Sequence, residues 1–282
     1  MRLFGAFIIA RLTFREAARR RILLAALLLG AIFLAIYGVG VYFIQKDLMR
    51  YNQHLERATA VPIYNFLTLS GLYVVNFLTS VLTVLTSVAT ISGEIDTGTI
   101  HTLAAKPVRR WEIVLGKWLG FVCMLGLYLL MMAGGVLGIS RLLLDYSMPN
   151  AGRGLALMAL NEMLLLNVTL LGGTRLSTLA NGVLVFAAYG IAVVGGWIEQ
   201  IGAFLENQAA VTVGIVSSLL MPGEALWKRA AFEMRTVLAD ALPANPFVSA
   251  FSVPSPLMVV YATLYAAVAL ALVFWSFGRR DL

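Results

Sequence analysis

The sequence predicts an all-α polytopic membrane protein, a bundle of six transmembrane helices. Three observations carry that prediction. The composition is 60% hydrophobic and 12% charged over 282 residues, where a soluble domain averages about 45–50% apolar and roughly 25% charged; mean hydropathy is +0.88. Apolar runs recur at membrane-crossing length, which takes ~20 residues of helix. The runs do not alternate in polarity as barrel strands would, so helices remain the way to satisfy the backbone in lipid.

Residues 1–21 form the first element, a weakly amphipathic interfacial helix. Leu3, Phe4, Phe7, Phe14 and Ala18 cluster opposite Arg2, Glu16, Arg19 and Arg20, while Arg11 near the apolar face has to snorkel. The run 22–44 follows. It is longer than the ~7–15 residues of a signal-peptide core, so it reads as an uncleaved first span. The other spans are 66–91, 113–139, 155–172, 183–198 and 257–277. The prolines (62, 107, 149, 222, 243, 246, 254 and 256) all fall outside these runs, as unbroken helices require.

The formal net charge is +7 and the pI about 9.8. The basic residues sit at the ends of apolar runs, with no basic stripe of interleaved aromatics, which argues against nucleic acid. They act as topology signals. Arg2, Arg11, Arg15, Arg19, Arg20 and Arg21 precede span one; Lys106, Arg109, Arg110 and Lys117 follow span two; Arg175 follows span four; Arg279 and Arg280 end the chain. The opposite loops spread Lys46, Arg50, Arg57, Arg141, Arg153, Lys228, Arg229 and Arg235 over more residues, mixed with acids. The positive-inside rule therefore puts both termini in the cytoplasm.

The segment 199–256 lies between spans five and six on the outer side. Residues 209–221 are apolar but too short to cross, so they read as re-entrant or interfacial. Pro222-Gly223 breaks the chain. Then 224–242 is amphipathic: Leu226, Trp227, Ala230, Met234, Val237, Leu238 and Ala241 share one face, and Lys228, Arg229, Glu233, Arg235, Thr236 and Asp240 the other. Two placements fit, a helix lying on the outer membrane surface or one packed on the outer ends of the bundle.

The most informative stretch is 92–120, SGEIDTGTIHTLAAKPVRRWEIVLGKWLG, joining spans two and three. It opens with Glu94 and Asp96, continues as a short helical stretch and stops at Lys106-Pro107. Acids at a helix start and lysine at its end complement the helix dipole, and proline ends the helix. By charge alone this is a topogenic cytoplasmic loop. Its motifs resemble those of ABC-2-type transporter permeases: Gly93-Glu94, Gly98-Thr99, the turn from Leu103 to Arg109, and Leu115-Gly116-Lys117. Within that family it is similar to the branch of multicopper-enzyme or nitrous-oxide-reductase maturation permeases.

The resemblance covers one transmembrane domain, 1–282, with the interfacial helix 1–21, a coupling loop 92–112 and the outer segment 199–256. It implies a permease subunit of the prokaryotic plasma (inner) membrane that works, as an exporter, with a separate ABC ATP-binding subunit. It also implies a second permease chain, as homodimer or heterodimer. The coupling helix would present Glu94, Asp96, Gly98, Thr99, Lys106, Pro107, Arg109 and Arg110 to the ATPase. ATP and magnesium would be bound by that partner: no lysine here completes a Gly-x4-Gly-Lys-Ser/Thr frame. The chain itself is expected to hold no cofactor and to be no enzyme. A stand-alone secondary transporter or channel, or a non-transporting scaffold or sensor, is the alternative.

Inside the spans, Asn76, Asn161, Asn167 and Glu162 stand out. An ionisable group at mid-depth is expensive and defaults to function, so Glu162, Asn161 and Asn76 are candidates for the substrate path. The alternative for Glu162 is a place near water at the outer end of a shifted span. Gly134 and Gly138 form a small-xxx-small pair suited to close helix packing. His54, His101 and the single Cys123 have no metal-ligand spacing, and scattered methionines read as gap fillers.

Overall fold

The computed structural model describes residues 4–19, 21–51, 57–90, 93, 110–236 and 252–279. The described residues form nine helices: α1 (Phe4–Arg19), α2 (Arg21–Tyr51), α3 (Arg57–Ser87), α4 (Arg110–Leu144), α5 (Ala151–Gly173), α6 (Thr178–Phe204), α7 (Gln208–Leu220), α8 (Gly223–Glu233) and α9 (Pro256–Gly278). Six of them, α2 to α6 and α9, are long and apolar enough to cross a membrane. Five of them contain their apolar runs, and α3 covers 66–87 of the run 66–91. The helix of span two starts ahead of its apolar run, so Pro62, outside the run, lies inside the helix. As the sixth residue of α3 it is past the four orphan N–H groups, and its ring removes one backbone hydrogen bond in the second turn.

Between α7 and α8 the chain turns through 108° at Pro222, a broken pair and not a single helix. Glu206 takes a left-handed backbone (φ 55) just before it, and Asn207 caps α7 by accepting from the Ala210 N–H at 3.1 Å. The outer segment therefore returns along α6 before entering the bundle as α8.

The placement of α8 settles between its two alternatives. Asn65 at the start of α3 donates to the Met234 carbonyl (3.0 Å) and to the Tyr146 hydroxyl in the α4–α5 loop (2.8 Å). Asn150, before α5, donates to the Glu233 carbonyl (3.1 Å). So α8 ends beside the α4–α5 loop, while its other end, Gly223, abuts Asn161 midway along α5. Eleven residues at 1.5 Å each span about 16 Å, so α8 reaches from one end of the bundle to its middle. Trp227 is 1% exposed and Lys228 6%. The surface-helix reading, with Lys228 on a solvated face, is thus replaced by packing inside the bundle. Residues 237–242 of that pattern lie outside the described residues.

Two buried clusters fill the interior. The larger gathers Leu69, Leu72, Met132, Met158 and Trp227; the smaller joins Leu164, Leu165, Val185, Tyr189 and Leu226. By contrast, only 6% of the most apolar window of α2 is buried, which leaves that helix for lipid or a second chain.

Helix α1 packs on α4 by its small residues. Its buried side is Ala6, Thr13 and Ala17, while Phe7 is 69% exposed. The small face packs on α4, where a Cβ on Gly116 would come within 2.7 Å of the Ala6 carbonyl oxygen and one on Gly120 within 2.8 Å of that of Ala10. The glycine pair that mediates close packing is therefore Gly116 and Gly120. Among the described residues nothing lies within 4 Å of a Cβ built on Gly134 or Gly138. The i,i+4 spacing is the same; the neighbour decides its use. Gly120→Leu should separate α1 from α4 and destabilise the detergent-solubilised protein by about 1–3 kcal/mol, read as a lower Tm and faster proteolysis within 4–19. Gly134→Leu, a matched control, should leave both unchanged.

Candidate functional site: a buried polar spine and the base of the 92–112 loop

A polar stripe runs down α3. Asn65, Thr68, Asn76, Thr79, Ser80, Thr83, Thr86, Ser87 and Thr90 are all buried. Apart from the gap between Thr68 and Asn76 they recur at helical spacing and share one face, with Thr90 just past the helix end. Several hydroxyls donate back to their own helix, as Thr79 does to the Val75 carbonyl (2.8 Å) and Ser87 to that of Thr83 (2.6 Å). Sequence reading singled out Asn76 alone; the 3–4 spacing of Thr and Ser was the signal that would have found the rest.

Opposite this stripe stands Glu162, midway along α5 and 4% exposed. The Thr83 hydroxyl donates to its Oε2 at 2.6 Å and that of Ser80 to its Oε1 at 3.2 Å. Asn161 donates to the Ser80 hydroxyl (3.1 Å) and to Asn76 Oδ1 (3.5 Å). Its Oδ1 is buried without a hydrogen-bond partner among the described residues and faces Gly223 at the start of α8. The three substrate-path candidates, Asn76, Asn161 and Glu162, are thus one cluster joining α3, α5 and the broken helix. Glu162 does not sit near water at a helix end.

A second polar group holds α8 in place. Lys228 Nζ lies 2.9 Å from Glu199 Oε2, both side chains about 5% exposed. Ser252 donates to the other Glu199 oxygen at 2.5 Å, and Gln200 Nε2 donates to the Ser252 carbonyl at 2.9 Å. Glu224 packs flat on Gly196, where a Cβ would collide with its side chain. In sequence, Lys228 was a polar-face residue and Glu199 only the start of the segment 199–256. A 29-residue separation gave no sign of their pairing.

The coupling-loop residues Glu94, Asp96, Gly98, Thr99, Lys106, Pro107 and Arg109 lie outside the described residues, and Arg110 opens α4. The helices on either side are described. Lys117, 6% exposed, donates to the Thr90 carbonyl at 3.2 Å. That carbonyl is at the C-terminal end of span two, where orphan acceptors and the helix dipole favour a cation. The Gly116-Lys117 pair of the sequence motif thus has a double role: Gly116 admits α1 and Lys117 ties span three to span two.

Cross-braces continue through this end of the bundle. Trp118 donates to Asn167 Oδ1 (2.7 Å), and Asn167 donates to the Ala266 carbonyl (2.9 Å), linking α4, α5 and α9. Thr174 and Ser276 share a hydrogen bond at 2.9 Å, and Arg175 Nε donates to the same Ser276 hydroxyl at 3.1 Å. Among the described residues no group of three or more His, Cys, Asp or Glu could hold a metal ion.

The family model described as ABC-2 family transporter protein matches residues 7–282, nearly the whole chain. The chain belongs to the ABC-2 transporter family. Among curated proteins none matches its sequence. As an ABC-2 protein it is a multi-pass permease subunit of an ABC transporter, and its six spans and bent helix pair form that subunit's transmembrane domain.

In this ABC-2 permease the Glu199–Lys228 pair can be tested for its hold on α8. Lys228→Met leaves a buried carboxylate unpaired and should cost about 3–5 kcal/mol, read as a lower Tm. The double variant Glu199→Gln with Lys228→Met should recover most of that loss. A Lys228→Met protein as stable as the parent would exclude the pair as an anchor.

Proposed function

We propose that this permease converts ATP hydrolysis by a separate ATP-binding subunit into movement of a substrate across the prokaryotic plasma membrane, in the direction of export. The observation that carries the reading is the rigid base under the 92–112 loop. Lys117 joins the two helices that flank it, and α1 is wedged on Gly116 and Gly120 just beyond. A push on the loop therefore moves α1, α3 and α4 together. Through Trp118 and Asn167 it also reaches α5 and α9.

The contact with the ATP-binding subunit is assigned to Glu94, Asp96, Gly98, Thr99, Lys106, Pro107, Arg109 and Arg110, whose mixed charges would select the partner. ATP and magnesium belong to that partner. Both termini are cytoplasmic, and a second permease chain, identical or homologous, completes the transporter; the nearly bare α2 offers it a surface. Asn76, Asn161 and Glu162 are assigned to the substrate path. The finer kinship with multicopper-enzyme or nitrous-oxide-reductase maturation permeases rests on the sequence resemblance and names no cargo. A stand-alone transporter draws some support from the broken helix pair and buried charges, but membership of the ABC-2 family weighs more.

The test is co-purification followed by ATPase measurement with the recovered subunit. Reversing both charges, Glu94→Lys with Arg109→Glu, should abolish co-purification. Lys117→Met should leave association intact and lower the ATPase response to the permease several-fold, because the lever's base is loosened and not its contact. If charge reversal changes neither association nor activity, the loop is not the coupling element.

A further inference from the structure

Glu162, assigned above to the substrate path, also lines a cavity whose walls include no residue of α3. It measures about 70 Å³ and lies between α4 and α5. Glu162 is its polar group; Val122, Leu129 and Leu166 are among its apolar walls. Gly126 and Met163 also line it and, like Val122, are only half-buried, so the mouth opens on the outside of the bundle, where acyl chains would lie. Among the described residues nothing stands within 4 Å of a Cβ built on Gly126, so the α4 wall is open there.

The chemistry of this cavity is one-sided. Each carboxylate oxygen accepts one hydroxyl from α3, and each has a second lone-pair direction. Among the described residues no basic side chain forms an ion pair with Glu162. A carboxylate this deep is costly without a counter-charge. The group that would complete it brings a positive charge and several N–H donors, is compact, and continues into an apolar tail. A primary ammonium on an alkyl chain has each of those properties. An alcohol lacks the charge, and a carboxylate has the wrong sign.

We infer that the α4–α5 cavity is a binding site for the ammonium head of an alkylamine, with Glu162 as its counter-ion and the tail leaving past Gly126 and Met163. The site is defined by binding alone, so it stands or falls independently of coupling to an ATPase.

The experiment titrates n-hexylammonium, hexanol and hexanoate against the full chain in lipid nanodiscs at neutral pH, where a primary amine is protonated as lysine is. The readout is the shift in Tm, fitted to an apparent Kd. Hexylammonium should stabilise the protein saturably, and hexanol and hexanoate should not. Glu162→Gln should weaken hexylammonium at least tenfold. Gly126→Leu, which fills the mouth and leaves the carboxylate in place, should do the same and provides the test if the first variant folds poorly. Equal stabilisation by hexanol, or an unchanged hexylammonium affinity in Gly126→Leu, would overturn the site.

Discussion

Lipid offers no hydrogen bonds, so each polar group on a membrane-crossing helix has to find its partner within the protein. In this permease that constraint is concentrated on one face of α3, and much of the bundle is arranged to meet it. Glu162 and Asn161 of α5 meet the middle of the stripe. Ser140 of α4 meets Thr68 nearer its start, and Lys117 takes the carbonyl at its end. Two helices, α4 and α5, converge on α3 because it carries groups that lipid cannot satisfy, while α2 is left almost uncovered.

The same constraint explains the broken pair α7–α8. A helix with Glu224, Lys228, Arg229 and Glu233 in eleven residues is too polar to face acyl chains. It enters the bundle because α6 supplies Glu199 for its lysine and glycines where the backbones approach. Gly195 meets Ser217 of α7 and Gly196 meets Glu224 of α8, positions where any Cβ would collide. Burying an ion pair contributes little net stability compared with an apolar substitute, but losing one partner is severe. Such a pair specifies where α8 sits more than it adds to the total.

Function and architecture meet at the loop end of the bundle. In the proposed coupling, a lever would transmit force only if its fulcrum did not yield, and the base of the 92–112 loop is built from close backbone packing and a side-chain bridge to a carbonyl. Gly116 and Lys117 are adjacent, yet they act on different neighbours, α1 and α3. This gives a physical meaning to the Leu-Gly-Lys end of the sequence motif.

The sequence by itself determined the helical class, the six crossings and the break at Pro222-Gly223, because each depends on local properties: run length, apolar content and proline chemistry. It also drew attention to Glu162, since a carboxylate within an apolar run is conspicuous wherever it ends up. Tertiary structure alone decided which partners these residues found. The small-residue spacing of Gly134 and Gly138 is identical to that of Gly116 and Gly120, but only the second pair has a helix against it. The amphipathic pattern of 224–242 was equally compatible with a membrane surface and with packing on the outer ends of the bundle, because periodicity records that a helix has two faces and not what each face touches. Lys228 was read as solvated for that reason. Its counter-ion comes from another helix, and pairing across such a distance leaves no trace in local sequence.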